Sequence, residues 1–169
     1  GVAATDHRPA EERGVSDECA DGVREARSLF QARGSGATPT SALCLALEVI
    51  EFADARRLNR LWHSRLPRMG TGFIKDMPFL CFGAAFDGLY YAAAIWSNPV
   101  ARLLPQQTWL ELRRLAIAPD APKNTASRML AVMARLIRKE RPQITTLASY
   151  QDTEAHTGGI YAAAGWKAT

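Results

Sequence analysis

Trp109-Leu110-Glu111-Leu112-Arg113-Arg114-Leu115-Ala116-Ile117 opens the stretch whose reading decides the fold, and Ala121-Pro122-Lys123-Asn124-Thr125-Ala126-Ser127 continues it. The first run predicts a strand. The second leads into a helix to about Lys139, with Met129, Leu130, Met133, Leu136 and Ile137 spaced to face inward. Pro142 separates that helix from a further strand, Ile144 to Tyr150. Strand, loop, helix and strand in this order form a crossover unit. Its loop and helix N-terminus lie at the carboxyl edge of the sheet, where N–H groups and the helix dipole favour an anion.

Working outward, Phe79 to Phe86 and Leu89 to Trp96 are apolar runs joined by Asp87-Gly88, a strong hairpin signal. Upstream, Leu43 to Phe52 reads as a buried strand. Ala53 to Leu66 reads as a helix with Ala55, Leu58, Leu61 and Trp62 on one stripe, and Pro67 ends it. Arg68 to Pro78 reads as a loop. Downstream, His156 to Ala164 predicts a short helix closed by Gly165. The fold class is therefore α/β, with a mixed central sheet flanked by helices, over residues 41–169. Residues 1–40 have few large apolar side chains and read as a partly ordered extension. It has room for one short helix from Asp21 to Ala32, followed by the linker Gly34-Ser35-Gly36.

Bulk properties set outer limits. The chain has 169 residues, enough for one domain, and 47% of them are apolar, a globular composition. A formal charge of +4 permits a polyanionic partner without demanding one. Arginines crowd Arg56 to Arg68, and basic residues crowd Arg128 to Arg141. Cys19, Cys44 and Cys81 are odd in number and far apart, which argues against a disulfide framework or zinc ribbon. Cys44 and Cys81 sit in apolar runs as small hydrophobes. No apolar run is long enough to span a membrane, and a reducing, cytoplasmic setting is expected.

The polar residues of the crossover carry the chemistry. Lys123, Asn124, Thr125 and Ser127 can hold an anion at the helix start, or Asn124, Thr125 or Ser127 can simply cap it. The loop has no glycine, and Pro119 and Pro122 lack an N–H, so side chains must supply part of any anion site. Strict alternation puts Glu111, Arg113 and Leu115 on one face and Leu112 and Arg114 on the other. Arg113 or Arg114 can grip a carboxylate or phosphate; an ion pair with Glu111 or Asp120 fits equally. Asp152 and His156 are four apart, with Tyr161 beyond, so one helix face can present a base, a phenolic acid or metal ligands. The alternative is that Asp152 or Thr153 caps the helix and His156 is solvated. His63, beside Trp62, is a further candidate, set against a structural role. No Ser-His-Asp or Cys-His arrangement suggests a hydrolase.

These elements resemble the GNAT acyltransferase superfamily, and Tyr161 to Trp166 is similar to its Tyr-x-x-x-Gly-Phe ending. There the tyrosine protonates the departing thiolate of coenzyme A. A narrower resemblance rests on Arg114-Leu115, Ala121 to Ser127, Ser149-Tyr150-Gln151-Asp152 and His156-Thr157-Gly158. These look like the phage Mom family, which modifies adenine in phage DNA against host restriction. The resemblance implies a phage or prophage protein that transfers a small acyl-derived group to N6 of adenine, in single-stranded DNA or in a duplex with the base extruded. It places Arg114, Lys123, Asn124, Thr125 and Ser127 around the donor, and His63, Asp152, His156 and Tyr161 around the reacting centre. Iron held by His63, Tyr150 and Asp152 is a further implication. The glycine-free loop departs from the usual pyrophosphate loop, which leaves the acyl donor open with acetyl-coenzyme A as one choice. An ordinary N-acetyltransferase and a non-catalytic binding module are the alternatives. The superfamily sheet usually continues past the position of Thr169. Either this sheet is smaller, a second copy completes it as a homodimer, or the sequence runs on.

Overall fold

The computed structural model describes residues 2–6, 36–62, 79–150 and 159–168. Seven strands form one mixed sheet: β1 (Val2–Asp6), β2 (Ala46–Val49), β3 (Leu80–Phe86), β4 (Leu89–Ser97), β5 (Trp109–Ile117), β6 (Thr146–Tyr150) and β7 (Lys167–Ala168). Their spatial order is β2-β3-β4-β5-β6-β1-β7. Every pairing is antiparallel except β5 with β6, the one crossover pair. The described residues also form the helices α1 (Phe52–Trp62), α2 (Thr125–Glu140) and α3 (Gly159–Ala163).

The β3–β4 hairpin forms as its sequence predicts. Asp87 and Gly88 both take positive φ, 49° and 79°, the requirement of a type I′ turn. On one face of the sheet α2 buries Met129, Leu130, Met133 and Ile137 against Phe82, Trp96, Leu110, Leu112 and Leu147. Each of those α2 side chains contributes about 1.5–3 kcal/mol by leaving water. Arg138 and Lys139 in its last turn favour the negative end of the helix dipole. On the other face α1 places Ala55 against Cys81 and Ile95.

Four expectations are corrected. The predicted strand Leu43 to Phe52 is broken: Ala42–Cys44 is a 3₁₀ turn, only Ala46–Val49 pairs, and Phe52 already begins α1. Leu61 is 64% exposed, because the inward stripe of α1 is Ala55, Leu58 and Asn59, and Leu61 falls off it. Cys81 is buried as expected, but Cys44 is only partly so. Finally, Val2–Asp6 is a strand between β6 and β7, so the sheet extends past β6 using the chain's own N-terminal residues. The predicted helix Asp21 to Ala32 and the loop Arg68 to Pro78 fall largely or wholly outside the described residues. Among the described residues, no helix is long and apolar enough to cross a membrane.

Candidate active site at the fork of β5 and β6

Trp109–Leu112 of β5 pair with Thr146–Ser149 of β6, and there the ladder stops. β6 ends one residue later at Tyr150, while β5 runs on to Ile117. The two strands therefore fork. From Arg113 onward, β5 has no strand paired with it on that side among the described residues.

A β-bulge marks the same point. Ile95 pairs with Arg114 and Trp96 with Leu112, so consecutive residues of β4 face residues two apart on β5, and Arg113 is the extra one. The bulge resets the alternation. Leu112, Leu115 and Ile117 face α2, whereas Glu111, Arg113 and Arg114 share the α1 side with Ser97 and Ile95. Strict alternation had separated Arg114 from Glu111 and Arg113, and the inserted residue is why it failed. Glu111 is 5% exposed. One of its oxygens meets Arg113 Nε at 3.4 Å, and the other accepts from the Val100 N–H at 2.8 Å. The Arg114 guanidinium donates to the carbonyl of Arg113 at 2.7 Å.

On the α2 side, the hydroxyl of Ser149, the last β6 residue paired with β5, lies 2.8 Å from the Tyr161 phenol. Ser149 is only 2% exposed. Tyr161 reaches it from α3, where Gly165 turns the chain at φ 81° and the Trp166 N–H donates to the Tyr161 carbonyl at 2.9 Å. The Trp166 ring stands edge-on to Tyr161 at 5.5 Å and tilts over Trp96 at 6.1 Å. The phenol is thus held towards Ser149 by the Trp166 ring, itself backed by Trp96.

A cleft of about 260 Å³ opens where α2 and α3 approach each other, lined by Ile117, Asn124, Thr125, Ser127, Ile160 and Ala163 among others. It lies at the N-terminus of α2. Asn124 occupies the cap position in the left-handed region, φ 66°, and makes no side-chain cap bond. Thr125 and Ser127 do not cap either. Their hydroxyls donate to the carbonyls of Pro122 at 2.7 Å and Asn124 at 3.2 Å. The Thr125 N–H is also committed, to the Pro122 carbonyl at 3.3 Å, so the Ala126 and Ser127 amides, the exposed Lys123 ammonium and the Asn124 side-chain amide are the donors for an anion.

Residues 81–168 match the sequence profile of the Mom protein family, and that span is more than half of the chain. The chain belongs to the Mom family. The matched span takes in the bulge, the fork, the cleft and Tyr161. Mom proteins modify DNA, which makes DNA the substrate that membership implies. No curated protein matches the chain.

Against this Mom framework, the structure brings together part of the predicted site. Asn124, Thr125 and Ser127 line the cleft, Lys123 precedes them in the chain, and Tyr161 stands on α3, whose Ile160 and Ala163 also line it. Arg114, grouped with them by sequence, leaves the sheet on the opposite face. His63, Asp152 and His156 lie outside the described residues. Of the iron ligands proposed from sequence, only Tyr150 is described, a half-exposed phenol at the end of β6. Among the described residues no three His, Cys, Asp or Glu side chains gather as a metal site, and His63 and Asp152 lie outside them. Ser149 is the residue that sequence reading missed as a partner. Its twelve-residue separation from Tyr161 gives no periodic signal.

Proposed function

We propose that this Mom-family protein transfers a small acyl-derived group to the exocyclic N6 amine of adenine in DNA, protecting that DNA from restriction. The family match over residues 81–168 carries the reading. The fork, the cleft and the Tyr161 phenol support acyl transfer as its chemistry.

The α2 amides and Lys123 hold the anionic part of an activated acyl donor, and the β5 edge not paired by β6, from Arg113 to Ile117, offers its extended arm backbone partners. N6 of adenine attacks the donor carbonyl. The N–C bond forms, the bond to the leaving group breaks, and the leaving group takes the Tyr161 phenolic proton. Ser149 keeps that phenol in place. The N6 proton passes to a base, for which Asp152, His156 and His63 are the candidates. No step runs through iron. A stacked base cannot reach a fork of this kind, so the adenine is extruded or the strand is single.

Expression in a bacterial host, digestion of its DNA to nucleosides and mass spectrometry test the reading. A mass-shifted deoxyadenosine that disappears in Tyr161→Phe supports it. Unmodified DNA from cells rich in folded protein contradicts it, and acetylation of free amines without DNA would favour an ordinary N-acetyltransferase.

A further inference from the structure

We propose that the Arg113–Arg114 bulge is a phosphate site, and that the phosphate belongs to the DNA strand carrying the target adenine. This rests on the reading of DNA as the substrate. Two guanidinium groups leave β5 on the α1 side with one carboxylate between them. That carboxylate, Glu111, is engaged by Arg113 and by the Val100 N–H. Arg113 also donates to the Ser97 hydroxyl at 3.4 Å. Among the described residues Arg114 bonds the Arg113 carbonyl, and no carboxylate there lies within ion-pair distance of it. Burial and the neighbouring Arg113 both pull its pKa down, with Glu111 opposing them. A guanidinium nevertheless keeps its proton in a protein, so among the described residues its positive charge is unbalanced and most of its five N–H donors have no partner. An oxyanion that fits the guanidinium fork completes it.

The shared chemistry, a phosphate, has two sources: the DNA backbone or a phosphorylated donor. The face decides between them. The cleft at the N-terminus of α2 lies on one side of the sheet, as Ile117 in its lining shows, and Arg114 points to the other. The covering helix on the Arg114 side, α1, adds Arg56, Arg57 and Arg60. DNA therefore approaches from the α1 side and the donor from the α2 side. They meet at the fork, where β6 no longer walls β5 off.

The test uses the full chain and a fluorescein-labelled single-stranded oligonucleotide rich in adenine, with binding followed by anisotropy at several salt concentrations. Arg114→Gln is expected to weaken binding about tenfold at low salt and to flatten the log K against log salt slope by about 0.7, one phosphate contact on a single strand. Arg114→Lys is expected to restore the slope while binding several-fold more weakly than the wild type, because the fork geometry is lost. Thermal melts of both variants show whether the fold is intact. Coenzyme A and inorganic pyrophosphate are titrated in parallel. An unchanged oligonucleotide slope in folded Arg114→Gln, with weakened coenzyme A or pyrophosphate binding, overturns the assignment and moves Arg114 to the donor. If the wild type does not bind the oligonucleotide, the reading of DNA as substrate fails and this site fails with it.

Discussion

Removing either partner of the Ser149–Tyr161 hydrogen bond should be unequal in cost, and the inequality follows from burial. Ser149 is 2% exposed and its hydroxyl lies 2.8 Å from the phenol. Tyr161→Phe leaves that hydroxyl buried without its partner, a loss of about 1–3 kcal/mol. Ser149→Ala instead leaves the phenol of a half-buried tyrosine, where water can replace the lost partner, so about 0.5–1.5 kcal/mol is expected. The double variant has no orphaned group. It should cost less than the sum of the singles, with a coupling of about 1 kcal/mol. Urea unfolding gives each value from the shift in midpoint at constant slope. In a chain of this size 1 kcal/mol is about 2–4 °C in melting temperature, so thermal scans provide an independent check. Costs that add to within about 0.3 kcal/mol would show that the two groups do not act together, and the placement of the phenol by Ser149 would be wrong.

Further perturbations reach other parts of the structure. A Cβ on Gly83 would collide with the Tyr90 ring and lie 3.1 Å from Ile50, so Gly83→Ala must displace the tyrosine whose hydroxyl donates to Glu48. It should cost about 1–3 kcal/mol in a denaturation experiment, and an unchanged midpoint would contradict the close approach. Trp166→Ala removes a ring packed between Trp96 and Tyr161 and should cost about 3–5 kcal/mol. DNA modification should be lost with it, and wild-type stability would refute the packing. The Cys81 thiol is pushed up to about 12, by burial first and then by Glu51. It should resist iodoacetamide at pH 8 until the protein is unfolded, and labelling of its peptide in native protein would count against the burial. The sign for stability follows. A raised pKa favours the protonated folded state, so the contribution is intact below the ordinary value of 9.0 and is lost as pH rises from there towards 12. Tyr90, raised by burial and by Glu48, acts in the same direction.

What the sequence made legible was local. Asp87-Gly88 needs no more than its own backbone preferences to set a hairpin, and Trp109 to Ile117 reads as a strand from its own composition. The stripe of α2 is likewise contained in one helix. What it hid depends on neighbours. The bulge at Arg113 exists only in the register of β5 against β4, so alternation along β5 alone put Arg114 on the wrong face. Val2–Asp6 is short and small-residued, and its place between β6 and β7 depends on residues at the far end of the chain. The capping residues misled for a different reason. Thr125 and Ser127 have the right chemistry for a cap but turn their hydroxyls to the Pro122 and Asn124 carbonyls, which leaves the Ala126 and Ser127 amides without a side-chain cap at the cleft. The same mechanism that defeated the cap reading makes the candidate site.

The most direct measurement is the mass of deoxyadenosine in DNA from cells expressing the wild type, Tyr161→Phe and Arg114→Gln at matched levels of folded protein. A modified nucleoside should appear with the wild type, vanish with Tyr161→Phe and fall sharply with Arg114→Gln. Unmodified deoxyadenosine in all three would contradict the assignment of this Mom-family fork to adenine modification.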